Sequence, residues 1–166
     1  MKTPKRWLLS ALILLSGLAQ ASDRLMYQAV EPARLSAGSY TVHLKAVGAE
    51  TDKPDLNGRW TLKLSGIWAA GKPSSPYGLY LNLPPGTQPT PEDPGYVGTL
   101  SVYDTPRRYD PQRSRKVSYD LLPAFSRLKA SGRLKMVSTL TLLPVRPPES
   151  AQTLHIQQVE IYRNTP

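Results

Sequence analysis

The chain has 166 residues, no cysteine, 17 prolines, nine tyrosines against a single phenylalanine, two histidines and a formal net charge of +9 at neutral pH. Without cysteine, neither disulfides nor thiolate metal sites support the fold, so core packing carries it alone. The basic balance favours encounter with acidic partners, whether anionic polymers, a lipid surface or an acidic protein, and speaks to steering rather than to fold.

At the amino terminus Lys2, Lys5 and Arg6 precede an apolar run from Trp7 to Leu15, and Ala19-Gln20-Ala21 closes the stretch. A basic head, a core of about 7–15 apolar residues and small side chains before the cut are the layout of a secretory signal peptide. Ala19 and Ala21 occupy the −3 and −1 positions, which places cleavage before Ser22. The run falls short of the roughly 20 residues a spanning helix needs, so no transmembrane segment is expected after cleavage. The reading is therefore a signal over residues 1–21 and a single domain over 22–166, exported to the periplasm or the medium. Nucleic acid is not an expected partner there.

Downstream, apolar residues recur with a period of two, the pattern of half-buried strands. Tyr40, Val42, Leu44 and Ala46 form one such face, Trp60, Leu62 and Leu64 a second, and Tyr77, Leu79, Leu81 and Leu83 a third. Further strands are predicted over residues 97–103, 116–119 and 136–143. Leu154 and Ile156 share one parity and Val159 and Ile161 the other, so the last strand requires a phase change, supplied by a bulge near Gln157 and Gln158. One segment reads as helix: Pro123 suits the first helical position, Leu122, Phe125 and Leu128 recur at spacings of three, and Gly132 closes the end. About seven or eight strands joined by turns rich in Pro and Gly predict an antiparallel β-sandwich with one short helix.

Two loops stand out. Pro84, Pro85, Pro89, Pro91 and Pro94 crowd one link, where fixed φ angles and missing donors forbid regular pairing and predict a stiff, exposed loop. The other carries Arg107, Arg108, Arg113, Arg115 and Lys116 against Asp104 and Asp110 alone.

Little in the chain carries chemistry. His43 and His155 both sit at polar positions of predicted strands, and no nucleophile elbow, phosphate loop or dinucleotide fingerprint is present. Two histidines with Met26 and Met136 are too few for a transition-metal site, and the methionines read as core packing. Glu92 with Asp93, or Asp52 with Asp55, sit beside turn formers and read as solvated surface rather than a glycosidase pair. Neither a cofactor nor an enzymatic activity is expected. The residues best suited to contact a partner are the loop tyrosines Tyr96 and Tyr109 and the basic set Arg107, Arg108, Arg113, Arg115 and Lys116.

The run Tyr77-Gly78-Leu79-Tyr80-Leu81-Asn82-Leu83-Pro84, followed by Tyr96-Val97-Gly98-Thr99-Leu100-Ser101, resembles the C-terminal β-sandwich attached to tyrosinases and polyphenol oxidases, the type-3 copper enzymes. Tyr119-Asp120-Leu121, the short helix and Leu140-Thr141-Leu142-Leu143-Pro144-Val145-Arg146 extend the likeness, the last with one extra residue before its arginine, so that it covers about Trp60 to Tyr162. The resemblance implies a cap that packs over a helical copper domain, covers the entrance to its dicopper site and in several members places a side chain in the substrate position. No such placeholder residue is assigned by motif in this chain. A signal-like segment precedes the sandwich where the family carries its helical domain and six copper-ligating histidines, so the expectation is a cap without the enzyme. Two roles follow: an accessory, shielding or maturation partner of a separately encoded type-3 copper oxidase, or an envelope module for anionic polymers or lipids using the basic loop.

Overall fold

The computed structural model describes residues 23–36, 38–48, 53–71, 75–147 and 153–164. The signal segment and its cleavage residues Ala19, Ala21 and Ser22 lie outside them. Among the described residues no helix is long and apolar enough to cross a membrane.

The architecture is mainly β and antiparallel throughout: β1 (Asp23–Ala29), β2 (Ala33–Leu35), β3 (Tyr40–Ala46), β4 (Arg59–Ala70), β5 (Tyr77–Leu81), β6 (Tyr96–Leu100), β7 (Arg115–Asp120), α1 (Leu122–Ala130), β8 (Thr139–Pro144), β9 (Thr153–Ile156) and β10 (Gln158–Asn164). Hydrogen bonds link the strands in the order β2-β9-β4-β10-β1-β3-β8-β5-β6, with β7 on the other side of β4. Strand β3 passes between the layers, pairing β8 through Tyr40–His43 and β1 through Leu44–Ala46. One layer is thus β7-β4-β10-β1 and the other β8-β5-β6, with a single apolar core between them.

Among the described residues ten strands stand where seven or eight are expected, for local reasons. In β1 a register shift between Leu25 and Tyr27 turns Met26 and Tyr27 both inward, which erases the alternation a strand search relies on. Strand β2 is three residues long and too short to show a period. Strand β8 starts at Thr139 rather than Met136, and Met136 is exposed instead of packing in the core; Met26 is buried as expected.

Strand β4 runs past the predicted segment because its parity also switches. Trp60, Leu62 and Leu64 face inward, then Ile67 and Ala69, with the register shift falling between Leu64 and Ile67. Gly66 sits in that shift at φ +67°, a left-handed conformation that costs an L side chain energy, and a Cβ there would lie 2.5 Å from Cβ of Gln157. Gln157 is itself the kink between β9 and β10, and its amide donates to the Ser65 carbonyl at 3.1 Å. The two parity switches therefore face each other across the sheet. Beyond them β4 pairs β9, and before them β10.

The helix closes one end of the sandwich. Leu121 N–H donates to the Trp60 carbonyl, and Phe125 meets Trp60 edge-on with ring centroids 5.5 Å apart. Ala124, Phe125 and Leu128 are buried, each large side chain stabilising by about 1.5–3 kcal/mol. Asp120 accepts the Leu122 N–H at the entry, and Gly132 (φ +67°) ends the helix as expected, with Arg133 N–H returning to the Leu128 carbonyl.

Asn82 ends β5 in the left-handed region at φ 46°. Its side chain donates to the Met136 carbonyl at 2.7 Å and accepts from the amides of Ser138 and Thr139, which holds segment 136–138 as a strap leading into β8. Where β9 and β2 add to the far end of β4, Arg34, His155 and Trp68 form one row across β2, β9 and β4. The His155 and Trp68 rings stack at 3.8 Å, 2° from parallel.

Two outcomes test this account. Gly66→Ala should lower stability by about 1–3 kcal/mol through backbone strain alone, with the Gln157 clash adding to it; an unchanged urea midpoint would refute the matched kink. Burial, and after it the charge of Arg34, hold the His155 imidazole below its ordinary 6.5. The unfolded chain then binds more protons, so stability present above about pH 6.5 is lost as pH falls through the lower folded value. Tm should therefore drop on mild acidification in wild type more than in His155→Phe, which keeps a stacked ring and cannot protonate.

Candidate binding surface

The basic loop between β6 and β7 is built from turns. Thr105 N–H returns to the Val102 carbonyl, and Ala69 N–H donates to the Pro106 carbonyl at 2.8 Å, which fastens the loop to the end of β4. The Asp110 carboxylate accepts from Gln112 N–H and its carbonyl from Ser114 N–H, forming a tight bend around Pro111. Arg107, Arg108 and Tyr109 are exposed on this frame. Arg113 is 88% exposed with its Nε 3.9 Å from Asp110, a pair worth little in water.

Arg115 faces the other way. Strand β6 ends the sheet order, so one of its sides has no strand partner. Three side chains from α1 and β7 donate to its carbonyls and to the residue after it: Arg127 Nη2 to Tyr96, Tyr119 Oη to Thr99 at 3.2 Å, and Arg115 Nη1 to Ser101 at 2.6 Å. Burial lifts the Tyr119 phenol above its ordinary value, against the opposing charge of Arg115. Tyr96 starts β6, with its hydroxyl 2.7 Å from Thr99 Oγ1 and its ring 5.3 Å from that of Tyr80. The sequence candidates therefore divide: Tyr96 and Arg115 serve opposite ends of one sealed edge, whereas Arg107, Arg108, Tyr109, Arg113 and Lys116 face outward.

Tyr109 and Lys116 meet in a groove of ≈ 350 Å³ over the Gly66 and Gln157 kink. A second exposed cluster lies where β8 ends. Tyr103 is 63% exposed and Val145 61%, and Arg146 Nη2 donates to the Tyr103 hydroxyl at 3.1 Å. The strand predicted over residues 97–103 stops at Leu100, so Tyr103 falls in the turn that follows it and Val145 in the bend after β8, where alternation says nothing of which side chains meet. The Pro-rich loop is exposed over residues 84–88 and 90–92, as expected, and Leu83, Pro84, Pro85 and Pro89 line a groove with Thr41, His43, Thr139 and Thr141 of β3 and β8.

Three of the remaining sequence candidates, Asp93, Asp55 and His155, are held in contacts within the fold. Asp93 accepts Gly95 N–H at 2.8 Å and pairs with Arg133 at 3.4 Å, Asp55 pairs with Arg163, and Asp52 lies outside the described residues. His155 belongs to the stack with Trp68. Among the described residues no three His, Cys, Asp or Glu side chains are grouped as a metal site would require.

Neither a protein-family model nor a curated protein matches the chain. Solved structures do. A latent apple tyrosinase superposes with a TM-score of 0.53 at 14% identity, covering 81% of this chain and 27% of that one. A latent aurone synthase, a polyphenol oxidase, gives 0.50 at 20% identity, covering 81% and 25%. The chain spans about a quarter of the length of each, and at these identities the likeness is one of fold: this protein has the β-sandwich fold that forms part of latent tyrosinases and polyphenol oxidases.

Proposed function

We propose that this chain is a non-catalytic accessory module, exported by its amino-terminal segment to the periplasm or the medium, that docks onto a separately encoded type-3 copper oxidase and shields or matures it. The supporting observation is a conjunction. The fold is shared with about a quarter of two oxidases described as latent, and the described residues gather no set of metal donors with which to carry out oxidation themselves.

The surface best suited to docking is the end where Tyr103 and Val145 are exposed. The Arg146 hydrogen bond orients the Tyr103 ring before any encounter, so less side-chain freedom is lost on binding. Tyr and Arg are the residue types that dominate interface energetics, and Arg107 and Arg108 supply exposed charge on the neighbouring loop.

The purified protein should not oxidise phenols with added copper. Mixed with a helical phenol oxidase that lacks a sandwich of its own, it should form a complex and change copper loading or phenol turnover. Tyr103→Ala combined with Val145→Ser should weaken that complex by about tenfold or more, the loss expected when central anchors are truncated. Absence of any complex with the wild-type protein would overturn the proposal; an undiminished complex with the double variant would move the docking surface elsewhere.

A further inference from the structure

We infer that the groove over the Gly66 and Gln157 kink is a binding site for an acidic polysaccharide, a function separate from oxidase docking. Its floor is the kink itself. Where β4 and β9–β10 switch parity together, the strands leave a hollow on the outer face of the sheet, walled by the bend around Pro111.

The lining is polar and contains no carboxylate: Ser65, Ser114, Gln157, Gln158, Tyr109 and Lys116 supply its functional groups. Most of their donors are uncommitted. Ser65 Oγ donates to Gln158 Oε1 at 2.9 Å, which fixes that amide and leaves its NH2 group available. Among the described residues the Gln157 side-chain amide, the Tyr109 hydroxyl and the Lys116 ammonium have no hydrogen-bond or ionic partner. On the far side of the Gln157–Gln158 ridge the surface has the opposite character, a smaller groove bearing Glu31 and Glu160. The ridge thus separates a cationic hollow from an anionic one, and a negatively charged ligand is directed to the first.

The donor set narrows the ligand class. Amides and hydroxyls offer paired donors and acceptors that match vicinal hydroxyls. The half-exposed Tyr109 ring offers a flat apolar face for the C–H side of a sugar, and a single lysine suits one carboxylate per residue. A nucleic acid needs several cations along its phosphates, and a lipid surface needs an apolar face to bury; the groove has neither. Its volume lies at the lower end of the range for small-molecule sites, about 300–1,000 Å³, which suits a short stretch of polymer. Arg107, Arg108 and Arg113 lie outside the lining and act at a distance, steering the polyanion.

The test is calorimetric titration of the full protein with a short oligogalacturonate and, in parallel, its methyl-esterified form, which keeps the shape and loses the charge. The acidic oligomer should bind, and the ester about tenfold more weakly or not at all. Lys116→Ala should cost about tenfold in affinity for the acid and little for the ester, and Tyr109→Ala should abolish binding of both. Arg107→Ala with Arg108→Ala should change the salt dependence while binding persists. All four positions are exposed, and circular dichroism checks that each variant is folded. Equal binding of acid and ester, indifference to Tyr109→Ala, competition by polyphosphate at equal charge, or no binding at millimolar oligomer would each overturn the inference. None of these outcomes depends on an oxidase being present.

Discussion

Gly66 against Gln157 is the contact on which the sandwich depends. A strand presents alternate side chains to the core, so one extra residue in either partner would throw every following apolar residue to the solvent face. Here both partners shift at the same point, and Leu64, Ile67, Ile156 and Val159 all stay buried. Only a residue without a Cβ lets Gln157 sit where it does. The same displacement that preserves the core leaves a hollow outside it, so the polar groove has paired strands for its floor and the bend around Pro111 for a wall.

The closure of the β6 edge is the second constraint. An unpaired strand edge invites pairing with another chain, and proteins blunt it with charge, bulges or cover. This molecule uses side-chain donors: an arginine from α1, and a tyrosine and an arginine from β7, occupy the carbonyls of Tyr96, Thr99 and Ser101. Arg115, at the start of β7, is for that reason a fastening at the end of a loop that otherwise presents its charge to solvent. Asn82 does a comparable task at the end of β5. The short motifs that suggested a family are, in physical terms, such fastenings: an asparagine in the left-handed region, tyrosines at a sealed edge, a proline and an arginine leaving β8. The fold is shared with structures at 14–20% identity, and a shared fold does not by itself fix function.

Those surfaces have two distinct characters. One end presents an oriented tyrosine, a valine and nearby arginines, the composition of a protein interface. The kink presents amides, hydroxyls, one ring and one ammonium, the composition of a site for a hydroxylated anion. They share the basic loop, which starts at one and ends at the other, so its charge serves both by raising the encounter rate with acidic partners.

Eight of the strands, with β9 and β10 read as one bulged strand, the helix with its Pro123 entry and Gly132 exit, and the bulge near Gln157 follow from the sequence alone, because alternation, helix caps and parity changes are local and written in consecutive residues. Strand β1 was hidden by its own bulge and β2 by its length. The division of the basic loop, the sealing of β6 and the meeting of Tyr109 and Lys116 with Gln157 and Gln158 were decided only by the tertiary structure. These contacts join residues far apart in the chain whose side chains are polar and exposed, and no periodicity records which distant strand a solvent-facing residue will meet.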